Sequence, residues 1–435
     1  MFETHHAQRA SLASSGALQA SLVLLTMTAC GPGGCSEAPP PAEPSSSTPD
    51  TKDSDMKVLA FEEHSEGLPV GGTWRGYPSL LDFTGDGKAD IVVSNREEDG
   101  WTAWTTDGKS PWSRRTDGIP GDLFYGGQDG ADVDKDGDLD LILSSHTKGI
   151  RIYLNDGKMG WTEAPDPPHS PSMMIDVVVC NLNNDEHADL VGMGHFNGGL
   201  NMYLGHGGGK FEHLSQSSDL IGTENAFGMQ VEACDLDLDG DDDIIAATRH
   251  GLRAFFTGVG DDGELKWDEK SEGLPVPSIG NTLRGIATGN FAGDEHPEIA
   301  YCGLVDPSNA AEHHNHLGIA QWNALDEKWV QVDEGLMSDY AYMDLKSCDL
   351  NADGLLDLVA INTALGGLVY LGVDNKDTAK FELAGKLEDV YGKSKIDIGD
   401  INGDGAPDIV VSLQRQKNGI EGGVRTLLNK KELWN

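Results

Sequence analysis

Positive charge is what this sequence has least of. Against 72 Asp and Glu stand 31 Lys and Arg, a formal net charge of −41 over 435 residues. Nucleic-acid binders present clustered Lys and Arg to phosphates, so this balance excludes that class of partner. Long apolar runs are missing as well. Residues 17–27 are apolar but too few to cross a bilayer, and no other stretch approaches the eighteen residues that a membrane-spanning helix needs. No nucleophile elbow, phosphate-cradling glycine loop or His-Glu-x-x-His occurs, which removes the enzyme classes those motifs carry. Aromatics make up only 7%. Cysteines are few and, after Cys30, odd in number: Cys35, Cys180, Cys234, Cys302 and Cys348. Their spacing defines no disulfide framework, and Cys180, Cys234 and Cys348 read as small buried residues.

What the chain has in quantity is glycine, 56 residues, and a nine-residue acidic loop. Its clearest copy places Asp235, Asp237, Asp239 and Asp243 at positions 1, 3, 5 and 9, with Gly240 at position 6. Ca²⁺ takes six to eight oxygens, which carboxylates at 1, 3 and 5, a backbone carbonyl at 7 and a bidentate carboxylate at 9 would nearly supply. Four more full copies carry Asp82, Thr84, Asp86 and Asp90; Asp132, Asp134, Asp136 and Asp140; Asp349, Asn351, Asp353 and Asp357; and Asp400, Asn402, Asp404 and Asp408. A weaker copy has Asn181, Asn183, Asp185 and Asp189, with Glu186 in place of the glycine. A defective one has Asn290, Ala292, Asp294 and Glu298. About five Ca²⁺ are therefore expected. An EF-hand would need a Glu at position 12 between two helices. Position 12 here is Val93, Leu143, Ala246, Ala360 or Val411.

The seven first positions recur about every fifty residues, a period that marks a repeat architecture. Each loop runs into an apolar segment such as Ile91-Val92-Val93 and then a Gly-led alternating one such as Gly149-Ile150-Arg151-Ile152-Tyr153. An aromatic then opens a further segment: Phe61, Trp112, Trp161, Phe211, Trp267, Trp329 or Phe381. With the strand leading into the loop, each repeat holds four strands, so the fold class is all-β, a seven-bladed β-propeller. The strand containing Phe61 precedes the first loop and has no blade of its own. Residues 57–65 are expected to pair antiparallel with 423–428 and close the ring. Three repeats share a turn: Glu66-Gly67-Leu68-Pro69, Asp117-Gly118-Ile119-Pro120 and Glu272-Gly273-Leu274-Pro275.

Three segments follow. Residues 1–29 read as a signal peptide ending in Met27-Thr28-Ala29, before Cys30. Residues 30–55 are rich in Pro, Ser and acidic side chains and read as a disordered tether. Residues 56–435 form the propeller. Met27 to Cys30 resembles a bacterial lipobox, which implies acylation of Cys30, and Gly31 after it implies sorting to the outer membrane, with plain secretion as the alternative.

The D-x-[DN]-x-D-G-x-x-D loops resemble those of FG-GAP and VCBS repeat proteins, a group whose best-known relatives are integrin α-subunit propellers. The resemblance covers about residues 57–435. It implies Asp-rich loops between the first and second strands of each blade, with a ligand face on the other side of the disc. His146, His195 and His250 fall on that face, as do His313, His314 and His316 in an insertion, and imidazoles converging there could bind a transition metal. Arg75, Trp74, Phe124, Tyr125, Arg284, Tyr340, Tyr342 and Lys395 enter it near the channel, where aromatics among cations suit a sugar or an anion. The expected function is extracytoplasmic binding or adhesion to a protein or glycan. The alternative is a carbohydrate lyase or dehydratase, or a His-based metal site.

Overall fold

In the computed structural model, the described residues are 56–435 except 75, 96–99, 124–125, 169, 171–172, 195–198, 215–227, 249, 277–281, 305–315, 374–377, 392, 416–420, 431–433 and 435. They form seven sheets in a ring, antiparallel except where Val58–Leu59 and Asp333–Glu334 pair in parallel with Ala379–Leu387 of blade 6. Blade 1 is Ser79–Leu81, Asp90–Ser94, Trp101–Thr105 and Ser113–Arg114. Blade 2 is Gln128–Ala131, Asp140–Ser145, Gly149–Leu154 and Thr162–Glu163. Blades 3 to 6 open with Met174–Cys180, Gly228–Cys234, Thr282–Gly289 and Tyr342–Cys348. Blade 7 is Lys395–Gly399, Asp408–Leu413 and Gly423–Leu428, with Glu62–Glu63 as its outer strand.

The second strand of each blade is sandwiched by both neighbours, and Ile91-Val92-Val93, Leu141-Ile142-Leu143 and Ile409-Val410-Val411 are all fully buried. That double burial is why these segments are uninterrupted apolar runs, while the first strands alternate. Seven apolar clusters result, one at each blade-to-blade interface. The cluster joining blade 7 to blade 1 contains Ile91, Val93, Trp104, Ile401, Val410 and Val424.

Closure differs in detail from the expectation for residues 57–65. Glu62 and Glu63 pair antiparallel with Leu428 and Leu427, and the His64 N–H continues the ladder to the Thr426 carbonyl at 3.0 Å. Val58–Leu59, however, pairs in parallel with Lys386 and Leu387 of blade 6. The chain crosses from one blade to the next at Phe61, whose ring meets Trp434 edge-on with centroids 6.2 Å apart. Arg425 fixes the outer strand with a fork on Glu63, Nε to Oε1 at 3.2 Å and Nη2 to Oε2 at 2.9 Å.

The shared Gly-Leu/Ile-Pro turn locks neighbouring blades together. In the turn before blade 5, Gly273 has φ +92° and a Cβ there would collide with the Trp329 carbonyl oxygen. The Trp329 N–H donates to the Glu272 carbonyl at 2.8 Å and its indole N–H to the Lys270 carbonyl at 2.6 Å. Gly67 stands in the same relation to Trp112, and Gly118 to Trp161. Gly335 repeats the contact with Phe381, in a turn where Met337 stands in place of the proline. Gly273→Ala combines a left-handed backbone with a backbone clash, and should cost roughly 2 kcal/mol or more. Chemical denaturation would check this, and a loss no larger than that of Gly263→Ala, an open left-handed site, would refute it.

Candidate functional site: the acidic loops, the channel and the opposite face

The seven acidic loops join first to second strands and so share one face of the ring. Loop position 4 is left-handed in every copy: Gly85, Lys135, Asn184, Leu238, Gly293, Ala352 and Gly403 have φ between 50° and 76°. For Lys135, Leu238 and Ala352 this conformation is strained, and strain of this kind persists only where the surroundings fix it. The first-position carboxylate is one such constraint. Asp235 accepts from the Asp239 and Gly240 N–H groups at 3.0 Å each, and Asp132 does the same with Asp136 and Gly137. In two loops three carboxylates converge: Asp132, Asp134 and Asp136, and Asp235, Asp237 and Asp239, each set with oxygens within 4.8 Å of one another. These hard oxygen donors fit Ca²⁺. The remaining full loops carry Thr84, Asn351 or Asn402 at position 3, and in the first of them the Lys88 ammonium lies 3.1 Å from Asp86 Oδ2.

The ninth residue has a structural role alongside the ligand role expected from sequence. Asp140 is fully buried. Its Oδ2 accepts from the Val133 N–H at 3.0 Å and its Oδ1 from the Asn155 N–H at 2.9 Å, tying loop to third strand. Asp243, Asp357 and Asp408 repeat this with Leu236 and Thr257, Leu350 and Gly372, and Ile401 and Asn429. So does Asp189 in the weak loop. Glu298 in the defective loop accepts from Phe291 and Ala292. The ninth carboxylate is thus a latch that remains where the other ligands have been lost. Burial pushes Asp243 and Asp408 up to about 7 and Asp140 up to about 6. A cation in the loop would favour their ionised forms.

Inside the ring lies a cavity of about 300 Å³ lined by Asp129, Asp176, Glu232, Lys346 and Asp397, with Tyr77 at one end. Sequence reasoning missed these residues. They stand three and five positions before the loops, on first strands whose side chains alternate between channel and blade. Side chains here join blade to blade by accepting from the next first strand. Asp129 accepts from the Val179 N–H (2.8 Å), Asp176 from Val231 (3.0 Å), Gln230 from Ile286 (2.9 Å), Asp344 from Ile396 (2.9 Å) and Asp397 from Leu80 (2.8 Å). Tyr77 reaches across the axis to donate to the Arg284 carbonyl at 3.3 Å. Above its ring, 3.9 Å from the centroid, sits Lys395 Nζ.

Burial pushes Asp176 up to about 8, Glu232 to about 7 and Asp129 to about 6. An acid raised above its unfolded value near 4 contributes stability below that pH and loses it as pH climbs through the folded value. Asp176→Asn should therefore gain on the parent protein between pH 5 and 8, by up to about 1.4 kcal/mol per unit. Above pH 8 the gap should level off. A difference in melting temperature that stays flat over that range would contradict it.

The channel-mouth ligand set expected from sequence is corrected here. Tyr342 is fully buried, its hydroxyl 2.8 Å from the Met337 carbonyl and 3.0 Å from the Tyr370 hydroxyl. Trp74 is buried against Trp104 with its indole N–H on the Gly71 carbonyl at 3.0 Å. Lys395 is buried, donating to the Met343 carbonyl at 2.7 Å and lying 3.6 Å from Asp344. Tyr342 is taken up in the apolar packing between blades 5 and 6, and Trp74 in that between blades 7 and 1. Among the histidines, His250 is exposed, His146 half-buried and His316 buried. Among the described residues no histidine joins a metal-binding group. Arg75, Phe124, Tyr125, His195, His313, His314 and Cys30 lie outside the described residues. No described helix is long and apolar enough to cross a membrane.

Comparison with known proteins agrees with this architecture. The FG-GAP-like repeat family matches residues 132–192, 181–246 and 349–411, which takes in the weak third loop. Integrin alpha-6 of Gallus gallus is 27% identical over 192 residues, covering 39% of this chain and 17% of the integrin. The chain therefore spans only a small part of that relative. Among solved structures, the BP39L lectin from Burkholderia pseudomallei has a TM-score of 0.50 at 11% identity, over 85% of this chain and 97% of the lectin. BBS1N in complex with ARL6DN also has a TM-score of 0.50 at 11% identity, over 85% and 96%.

Proposed function

We propose that this chain, an FG-GAP-repeat β-propeller protein, is a calcium-stabilised binding and adhesion module outside the cytoplasm. It is held on the outer membrane by a lipid on Cys30 and engages a protein or glycan. The observation that carries this reading is the division of labour between faces. Neighbouring acidic loops are tied to one another, with the Ala89 N–H on the Asp400 carbonyl at 2.7 Å and the Asp242 N–H on the Asn181 carbonyl at 2.8 Å. Cations held there would brace the ring, and the loops on the other face are left to meet a ligand. Variable loops on a rigid scaffold are the usual seat of recognition.

The test is binding of the full chain to a glycan array and to extracellular matrix proteins, in millimolar Ca²⁺ and in EDTA, with circular dichroism run alongside. Binding should disappear in EDTA together with the folded signal. Binding lost while the fold is intact would instead make calcium part of the ligand contact. No ligand in either arm would refute the module. Cys30→Ser should move the protein from the membrane to the soluble fraction, and a parent protein already soluble would remove the anchor.

A further inference from the structure

A cavity of about 670 Å³ opens over blade 2, beside the Thr147–Gly149 turn that links its second and third strands. That turn lies on the face opposite the acidic loops. The cavity is lined by Pro120, Leu123, Lys148, Arg151, Glu163 and Met173, among others. Its volume is in the range of small-ligand sites. In a chain of net charge −41, the cavity brings together two cations, Lys148 and Arg151, each beside one carboxylate, Asp122 and Glu163.

Arg151 belongs to a motif that three blades share. Its Nε lies 3.4 Å from Glu163 Oε1, and Glu163 stands opposite Tyr153, two residues on. Arg253 and Glu269 repeat the register in blade 4 with a 2.5 Å contact, as do Arg425 and Glu63 in blade 7 at 2.9 Å. In blade 7 the guanidinium is used structurally, its Nη1 donating to the Glu388 and Asp389 carbonyls. In blade 2 Arg151 Nη1 donates to the adjacent Ile150 carbonyl at 2.9 Å, and the side chain lines the cavity. Lys148, beside it, pairs with Asp122 at 2.5 Å, and both side chains are exposed at 40% and 67%. Such exposed pairs contribute little, so a ligand carboxylate can replace Asp122 at small cost.

We propose that this cavity over blade 2 binds an acidic sugar, its carboxylate on Lys148 and its hydroxyls on the Arg151–Glu163 pair. A donor and an acceptor held side by side suit vicinal hydroxyls, which give and take hydrogen bonds at once. Pro120 and Met173, the latter 40% exposed, provide an apolar wall for the C–H face of the ring. The proposal rests on the binding-module reading and names one site and one ligand class for it.

Calorimetry on the full chain would use oligogalacturonate and oligoglucuronate, their neutral hexose counterparts, and a Glu-rich peptide of equal charge. The uronates should bind at least tenfold more tightly than the neutral sugars, and more weakly as salt rises. Lys148→Ala and Arg151→Ala should each weaken uronate binding about tenfold. Arg253→Ala removes the same kind of pair elsewhere and should leave it unchanged. Equal binding of the peptide, equal loss in Arg253→Ala, or no preference for uronates would each overturn the proposal. Neutral glycans or a protein partner bound equally by parent and Arg151→Ala would sink this site while leaving the binding module standing.

Discussion

Millimolar Ca²⁺ is expected to raise the melting temperature of this protein by about 10 °C over excess EDTA, if each of the five full loops binds one ion worth roughly 2 kcal/mol and the folding entropy scales with length. The cause is the packing of Asp235, Asp237 and Asp239, and of Asp132, Asp134 and Asp136, with oxygens within 4.8 Å of one another. Without a cation these groups repel and draw protons, and Asp237 and Asp134 are accordingly raised by burial and by their neighbours. Asp239→Ala should lower the melting temperature in Ca²⁺ by about 2 °C more than in EDTA, the share of one site, because in EDTA only its 3.0 Å bond from the Asp241 N–H is lost. Asp294→Ala in the defective loop should behave differently. Asp294 accepts from Gln321 Nε2 at 2.6 Å and from the His296 N–H at 2.9 Å, contacts that involve no cation. Its loss should be the same in both buffers. Scanning calorimetry of the three proteins decides the matter. No shift in the parent would refute calcium stabilisation, and a Ca²⁺-dependent loss in Asp294→Ala would refute the ranking of loops.

The blade count and strand order were legible because the same physics acts seven times. A doubly buried second strand must be an apolar run, and a first-to-second turn that ties its own N–H groups must carry Asp or Asn at position 1. Strand exchange at closure was less legible. Residues 57–65 form one β-rich run, and nothing in their pattern marks the crossing from Lys386 to Leu428 at Phe61. The ninth acid shows only its ligand spacing in sequence, whereas its structural bonds to Asn155 or Thr257 depend on where the third strand passes. The channel carried a readable signal that was not used. Polar residues recur three and five places before the loops, Asp129, Asp176, Gln230, Glu232, Asp344, Lys346 and Asp397, in strands otherwise built to be buried. Aromatics and cations near the channel mouth misled for the opposite reason. Tyr342 and Lys395 have the composition of a binding site, but Tyr342 is used in the packing between blades 5 and 6 and Lys395 in its contacts with the Met343 carbonyl and Asp344.

Lys346 is where a single substitution should cost most outside the acidic loops. Its Nζ lies 3.5 Å from Asp397 Oδ1. Burial opposes its charge, yet Asp397, Glu232, Asp344 and Asp176 together hold its ammonium well above the usual lysine range. These same carboxylates accept from, or stand beside, the N–H groups that join the first strands, so the lysine neutralises the joints of the ring. Lys346→Met keeps most of the volume and removes the charge, leaving Asp397 and Glu232 facing each other inside the channel. Breaking a buried pair from one side costs about 3–5 kcal/mol, and partial exposure here reduces that to roughly 2–4 kcal/mol. The loss should be largest at pH 8, where Glu232, at about 7, is ionised, and should shrink towards pH 5 as the acids take up protons. Adding Glu232→Gln to Lys346→Met should recover part of the stability, a coupling that a double-mutant cycle in urea would measure. Strictly additive losses, or a loss in Lys346→Met that is constant from pH 5 to 8, would show that the lysine fills space in the channel and does not balance its charge.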